Sequence, residues 1–141
     1  MVIDLRYYSR SKKGNTIKLA SAIAEVLNKK AETIDKDLDS EVDYLFLANA
    51  MYASTVDRKV KDFLEKNKDK IKCIINVNSS ATGRSTIKAI RKVASKYNIE
   101  VSEKEFHTIG SWLNLHKGRP NEDDLNMLKD FVTNTINDLN E

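Results

Sequence analysis

"YYSRSKKGNT", Tyr7 to Thr16, closes an apolar opening and runs straight into "IKLASAIAEVL", Ile17 to Leu27. The flanks differ in period. "VIDLRYY" (Val2–Tyr8) reads as a strand, whereas Ile17, Ala20, Ile23, Ala24 and Leu27 recur at helical spacing beneath Lys18, Glu25 and Lys29. The joint is rich in hydroxyls and positive charge. It sits where the first N–H groups of a helix point outward unpaired, which is the chemistry of a phosphate cradle. Ser9, Ser11 and Thr16 offer hydroxyls, Asn15 an amide, and Gly14 permits a tight turn, with Arg10, Lys12 and Lys13 adding charge. A plain polar turn before a capped helix is the competing reading. A nucleotide-hydrolysis loop is a poor fit, because Gly14 is followed by Asn15 and not by Lys-Ser/Thr; the three-glycine dinucleotide fingerprint is absent too.

Outward from that joint, strand-like and helical patterns alternate. "AETID" (Ala31–Asp35) is a short second strand, and "DYLFLANA" (Asp43–Ala50) a nearly continuous apolar run expected of a strand covered on both faces. Ser54 or Thr55 is placed to cap a helix carrying Val56, Val60, Phe63 and Leu64. "IKCIINV" is another buried strand. A helix with Ile87, Ile90, Val93, Ala94 and Tyr97 on one face follows, then a more polar fifth strand near "IEVSEKEF". The last helix starts at "RPNEDDL", with Asn121 as cap and acids in its first turn, and turns Leu125, Leu128, Val132 and Leu139 inward. Such alternation implies parallel βαβ units and a doubly wound α/β sheet of about five strands, with helices on both faces. The 141 residues fit one domain, 1–141.

Composition narrows the partners. The net charge of +3 is mildly basic, and the lysines near Lys59, Lys61 and Lys66 alternate with Asp62 and Glu65, so a nucleic-acid stripe is not expected. No apolar run approaches the ~20 residues of a membrane span, and Asp4 and Arg6 interrupt the opening where a signal peptide would be apolar. The single cysteine, Cys73, reads as a buried core thiol, and a reduced, cytoplasmic setting is expected. His107 and His116 have no second ligand at metal spacing, though His116 beside Lys117 is placed to meet an anionic substrate. Asn49 stands where a phospho-acceptor domain of this topology would need an aspartate.

In a doubly wound sheet, ligands bind outside the carboxyl ends of the strands. The loops expected there, "SRSKKGNT", "NAMYAS", "NSSATGRS" and "GSWLNLHKG", are polar or aromatic. The opposite turns, "LNKKAE", "EKNKDK" and "ASKYN", are charged and plain.

"YYSRSKKGNTIKLASAIAEVL" resembles the phosphate-binding signature of the flavodoxin family, a Ser/Thr-rich loop ending in Gly-Asn-Thr ahead of the first helix. "DYLFLANAMYAS" is similar to that family's third strand and flavin-side loop, and "GSWLNLHKGRPNEDDLNMLKDF" to the tail of short single-domain members. The resemblance implies a flavodoxin-like three-layer sandwich with a five-stranded parallel sheet, bound flavin mononucleotide (FMN), and electron transfer with a reductase and an acceptor protein, as a monomer or weak dimer. It further implies that Ser9, Arg10, Ser11, Lys13, Gly14, Asn15 and Thr16 hold or surround the phosphate. Met51, Tyr52 and Ala53 would line one side of the isoalloxazine ring. Ser79, Ser80, Ala81, Thr82 and Gly83 would approach its polar edge, and Trp112 would cover a remaining face. An FMN-dependent reductase of quinone-like acceptors and a phosphate-binding regulatory module are the alternatives on the same fold.

The sequence also departs from the family pattern. Lys12 and Lys13 lengthen the first loop, the second loop has no glycine where many flavodoxins have one, and the chain is basic where most flavodoxins are acidic.

Overall fold

The computed structural model describes residues 1–10, 14–53, 55–113 and 115–141. Strands and helices alternate as β1 (Ile3–Tyr7), α1 (Asn15–Leu27), β2 (Val42–Ala50), α2 (Arg58–Lys66), β3 (Ile71–Ser80), α3 (Ile87–Lys96), β4 (Glu100–Val101), β5 (Phe106–Ile109) and α4 (Glu122–Leu139). The five strands form one parallel sheet in the order β1-β2-β3, with β4 and β5 both paired to β3.

Side-chain alternation along the central strands builds two cores. Leu45, Leu47 and Ile74 point to one face, where Val60, Phe63 and Leu64 of α2 and Ile90, Val93 and Ala94 of α3 pack. Phe46, Ala48, Ile75 and Val77 point to the other, against Leu19, Ala20 and Ile23 of α1 and Leu128 and Val132 of α4. A strand covered on both faces needs apolar residues at consecutive positions, which is why β2 and β3 read as unbroken apolar runs. Cys73 is buried, and burial pushes its thiol pKa up.

Two strand expectations are corrected. "AETID" contributes one parallel bridge, Tyr7 to Thr33, and not a strand. The Thr33 hydroxyl accepts from the Asp35 amide at 3.2 Å and the Thr33 carbonyl from Lys36 at 3.1 Å, so the chain turns away at once. The fifth strand is split. Ile74 pairs with Val101 and Val77 with Phe106, three steps along β3 against five along its neighbour. The surplus around Ser102–Glu105 leaves the ladder, and β4 and β5 lie one after the other along the same edge.

The cap expected at Ser54 or Thr55 is also corrected. Asp57 caps α2, its carboxylate accepting from the Lys59 amide at 2.9 Å, while Thr55 is engaged in a turn with Tyr52 and Ser54 lies outside the described residues. Asn121 does cap α4, in a reciprocal capping box with Asp124.

Candidate functional site

The carboxyl ends of β1, β2, β3 and β5 open onto a cleft of about 940 Å³. Gly14 sits at the N-cap of α1 in extended conformation (φ −78°, ψ 171°) and brings no side chain to satisfy the first N–H groups. The first turn carries no acid, so the positive end of the helix dipole is uncompensated there. Thr16 is 2 % exposed and lines the cleft.

Asn15 points elsewhere. Its Nδ2 donates to the Ser111 carbonyl at 2.9 Å, and the Ser111 hydroxyl returns a bond to its Oδ1 at 3.3 Å. Gly110 makes this closeness possible, since a Cβ there would lie 2.7 Å from Asn15 Nδ2 and 3.1 Å from Ser79 Oγ. The first and last loops of the site are thereby tied together.

Two turns of the same build flank the cleft. Tyr52 and Thr55 exchange backbone hydrogen bonds of 2.7 and 3.0 Å around Ala53 (φ 50°), and Trp112 and Leu115 exchange bonds of 3.1 and 2.9 Å around Leu113 (φ 53°). Each begins with an aromatic residue that lines the cleft. The Arg10 guanidinium stacks on the Tyr52 ring, 3.7 Å from its centroid, and its Nε donates to Asp57 Oδ2 at 2.7 Å. That bond to Asp57 raises the Arg10 pKa. Burial opposes ionisation of Asp57, but the Lys59 amide and Arg10 outweigh it and hold the carboxyl below the usual range. Tyr52 is raised, chiefly by burial, with Arg10 acting against it.

The third loop is held from beneath by buried amides. Thr86 Oγ1 donates to Asn49 Oδ1 at 2.6 Å and accepts from Asn76 Nδ2 at 3.0 Å, and Asn49 Nδ2 donates to Asn76 Oδ1 at 2.8 Å. Asn78 accepts from the Thr86 amide at 3.0 Å and donates to the Arg84 carbonyl at 2.9 Å. His107 Nδ1 lies 2.7 Å from the Gly83 carbonyl oxygen. In this way polar residues of strand interiors fix the path of residues 80–86.

Ser9, Arg10, Gly14, Asn15, Thr16, Met51, Tyr52, Ala53, Ser79, Ser80, Ala81 and Trp112 all line the cleft. Thr82 and Gly83 are not among its described lining residues and form the turn behind Ala81, where the Gly83 amide donates to the Ser80 carbonyl. Ser11 and Lys13 lie outside the described residues. Sequence reading missed Asp57, Arg58, Lys61, Gly110 and Ser111. Asp57 and Arg58 follow directly on the second loop, so position alone was the available signal; Gly110 and Ser111 open the "GSWLNLHKG" loop expected at this edge, from which only Trp112 was assigned a role.

No family model matches the chain, and no curated protein sequence matches it. Solved structures do. A flavodoxin from the domain Archaea superposes with a TM-score of 0.75 at 16% identity, covering 100% of both chains. Oxidised flavodoxin 1 from Bacillus cereus gives 0.65 at 14% identity over 96% of each chain. The chain has the flavodoxin fold. An NADH:FMN oxidoreductase in its apo form shares it, at a TM-score of 0.60 and 16% identity, over 94% of this chain and 86% of that one. In the flavodoxin fold as built here, the cleft lies where α1 begins and the β2, β3 and β5 loops meet. Among the described residues, no helix is long and apolar enough to cross a membrane.

Proposed function

We propose that the chain binds FMN in this cleft and works as an electron-transfer protein between a reductase and an acceptor protein. One observation carries the reading: the uncapped start of α1, with Thr16 beside it, shares a cleft with two aromatic-headed turns. The donor set fits a phosphate. A dianion takes hydrogen bonds from the first N–H groups of α1 and the Thr16 hydroxyl, gains from the helix dipole, and needs no carboxylate nearby. Ser9, Arg10, Ser11 and Lys13 complete that end in this reading. The ring takes the apolar part of the cleft between the Met51–Ala53 segment and Trp112, with Ser79, Ser80 and Ala81 at its edge.

Bound flavin supplies the electron chemistry, and the protein supplies binding, orientation and tuning. Here tuning falls to the Asn49–Asn76–Thr86 network that fixes the third loop. Trp112 stays 59 % exposed, which favours electron exchange at an open edge over a sheltered substrate pocket, and so favours electron transfer over a quinone-type reductase.

Calorimetric titration with FMN and with riboflavin tests this. Each charge-assisted bond to phosphate contributes about 1.5–3 kcal/mol, so FMN should bind at least about a hundredfold tighter. Equal affinity would remove the phosphate site from α1.

A further inference from the structure

Arg10 lies in the loop between β1 and α1, so its main chain belongs to the phosphate end of the cleft. Its side chain goes elsewhere. The guanidinium stands 3.7 Å from the centroid of the Tyr52 ring, and Nε donates to Asp57 Oδ2 at 2.7 Å, 47 positions along the chain. Both contacts are with the segment that follows β2. The positive charge that the first loop would offer a phosphate is therefore already engaged.

That engagement is hard to exchange. The Asp57 side chain is 12 % exposed, and its other oxygen is fixed by the Lys59 amide at 2.9 Å as the cap of α2. The carboxylate cannot turn to follow a departing guanidinium, and losing Arg10 would leave a largely desolvated charge short of a partner. Stacking of the planar guanidinium on the aromatic face adds a second hold. A phosphate at α1, by contrast, has the helix N–H groups and the Thr16 hydroxyl to take up.

The two aromatic-headed turns differ in this respect. Tyr52 is half-buried with Arg10 stacked on its ring, whereas Trp112 is largely exposed, and no cation stacks on it among the described residues. A ring braced in this way has its plane set before any ligand arrives, which lowers the ordering cost of binding.

We propose that the Arg10 side chain is a positioning group for the flavin ring and not a phosphate ligand: anchored on Asp57, it holds Tyr52 as a preformed platform at the ring end of the cleft. The inference rests on the FMN reading above and narrows it, since the loop's arginine divides its main chain and its charge between the two ends of the site.

Calorimetric titration of the full chain with FMN and with riboflavin, which share the ring and differ by the phosphate, separates those ends. Arg10→Gln should weaken both ligands by the same factor, about five- to tenfold, so that their affinity ratio stays that of the wild type. Asp57→Asn keeps a good cap for α2 and removes the anchoring charge, and should weaken both alike by about threefold. In a Tyr52→Ala background the effect of Arg10→Gln should disappear, because the side chain acts through that ring. Urea unfolding of the ligand-free chain should change little with Arg10→Gln, which separates positioning from general loosening. If Arg10→Gln weakens FMN and leaves riboflavin untouched, the guanidinium binds the phosphate, and the inference is overturned while the FMN reading stands. If the substitution tightens either ligand, Arg10 occupies the seat of the ring, and the inference is overturned equally. A loss that persists undiminished in Tyr52→Ala overturns the route through that residue. If the wild type binds neither ligand, the FMN reading fails and the inference fails with it.

Discussion

Asn15 and Ser111, 96 positions apart, are joined by a bond from the Asn15 amide to the Ser111 carbonyl and a second from the Ser111 hydroxyl to the Asn15 oxygen. The pair closes the site by tying the start of α1 to the loop after β5, and Gly110 is the residue that lets them meet. A methyl group at Gly110 would press on Asn15 Nδ2 at 2.7 Å. Gly110→Ala should therefore destabilise the chain by about 1–3 kcal/mol. Much of that loss should vanish when Asn15→Ala is already present, because the smaller side chain removes the clash. A double-mutant cycle by urea unfolding measures it. Additive losses would mean that the cost of the methyl group arises against Ser79 instead.

Arg119 and Asp124 make the corresponding anchor on the other side of that loop. Arg119 Nε and Nη2 donate to the two Asp124 oxygens at 2.6 and 2.9 Å, and the Arg119 carbonyl accepts from the Ser111 amide at 2.8 Å. Burial opposes ionisation of Asp124, but Arg119 and the Asn121 amide outweigh it and lower its pKa. A carboxyl depressed in the folded state contributes stability that is complete above its unfolded pKa of about 4 and is lost as pH falls through the folded value. Asp124→Asn should cost about 1–2 kcal/mol at neutral pH, with Arg119 partly exposed to solvent. The penalty should begin to shrink below about pH 4, where the unfolded carboxyl takes up a proton, and vanish below the lower folded-state pKa of Asp124. Urea unfolding of both proteins across that range reads the convergence; a penalty constant with pH would make the role of Asp124 steric.

How far the sequence could be read follows from which interactions are local. β2 and β3 were legible because burial on both faces writes an unbroken apolar run, and the α4 start because Asn121 and Asp124 sit within one turn. "AETID" has strand composition, but Thr33 bonds its own neighbours and turns the chain, a choice invisible in alternation alone. The split of the fifth strand depends on its register with β3. That Ser9, Arg10, Gly14, Asn15, Thr16, Tyr52 and Trp112 share one cleft was legible through motif and loop placement. The Asn49–Asn76–Thr86 network was not, since Asn49 in an apolar run shows only what it is not, and its partners lie 27 and 37 positions away.

That network supports a third prediction. Thr86→Val keeps the shape of the side chain and removes the hydroxyl that serves both Asn49 and Asn76. Each buried amide group left unsatisfied costs about 1–3 kcal/mol, so a loss of about 2–4 kcal/mol is expected. The loop that follows β3 should loosen with it, seen as faster amide hydrogen exchange at Ser80–Ser85. A loss under about 0.5 kcal/mol would indicate that water takes over the hydroxyl's role.

Trp112 gives the most direct view of the cleft, because it is the chain's one tryptophan and lines the site while 59 % exposed. Without ligand its emission should be that of a largely hydrated indole. A flavin ring placed against it would quench that emission, and the quenching should saturate at the same one-to-one ratio that calorimetry gives. Trp112→Phe keeps a ring at the position and should retain most of the affinity, whereas Trp112→Ala should lose about 1 kcal/mol or somewhat more of binding. The competing possibility is that Trp112 lines the cleft without touching the ring. In that case FMN would bind with emission unchanged, and Trp112→Ala would leave its affinity intact. Quenching in the wild-type chain and FMN affinity of Trp112→Ala together separate the two: quenching with loss of affinity assigns the indole to the cofactor, and neither removes it from that role.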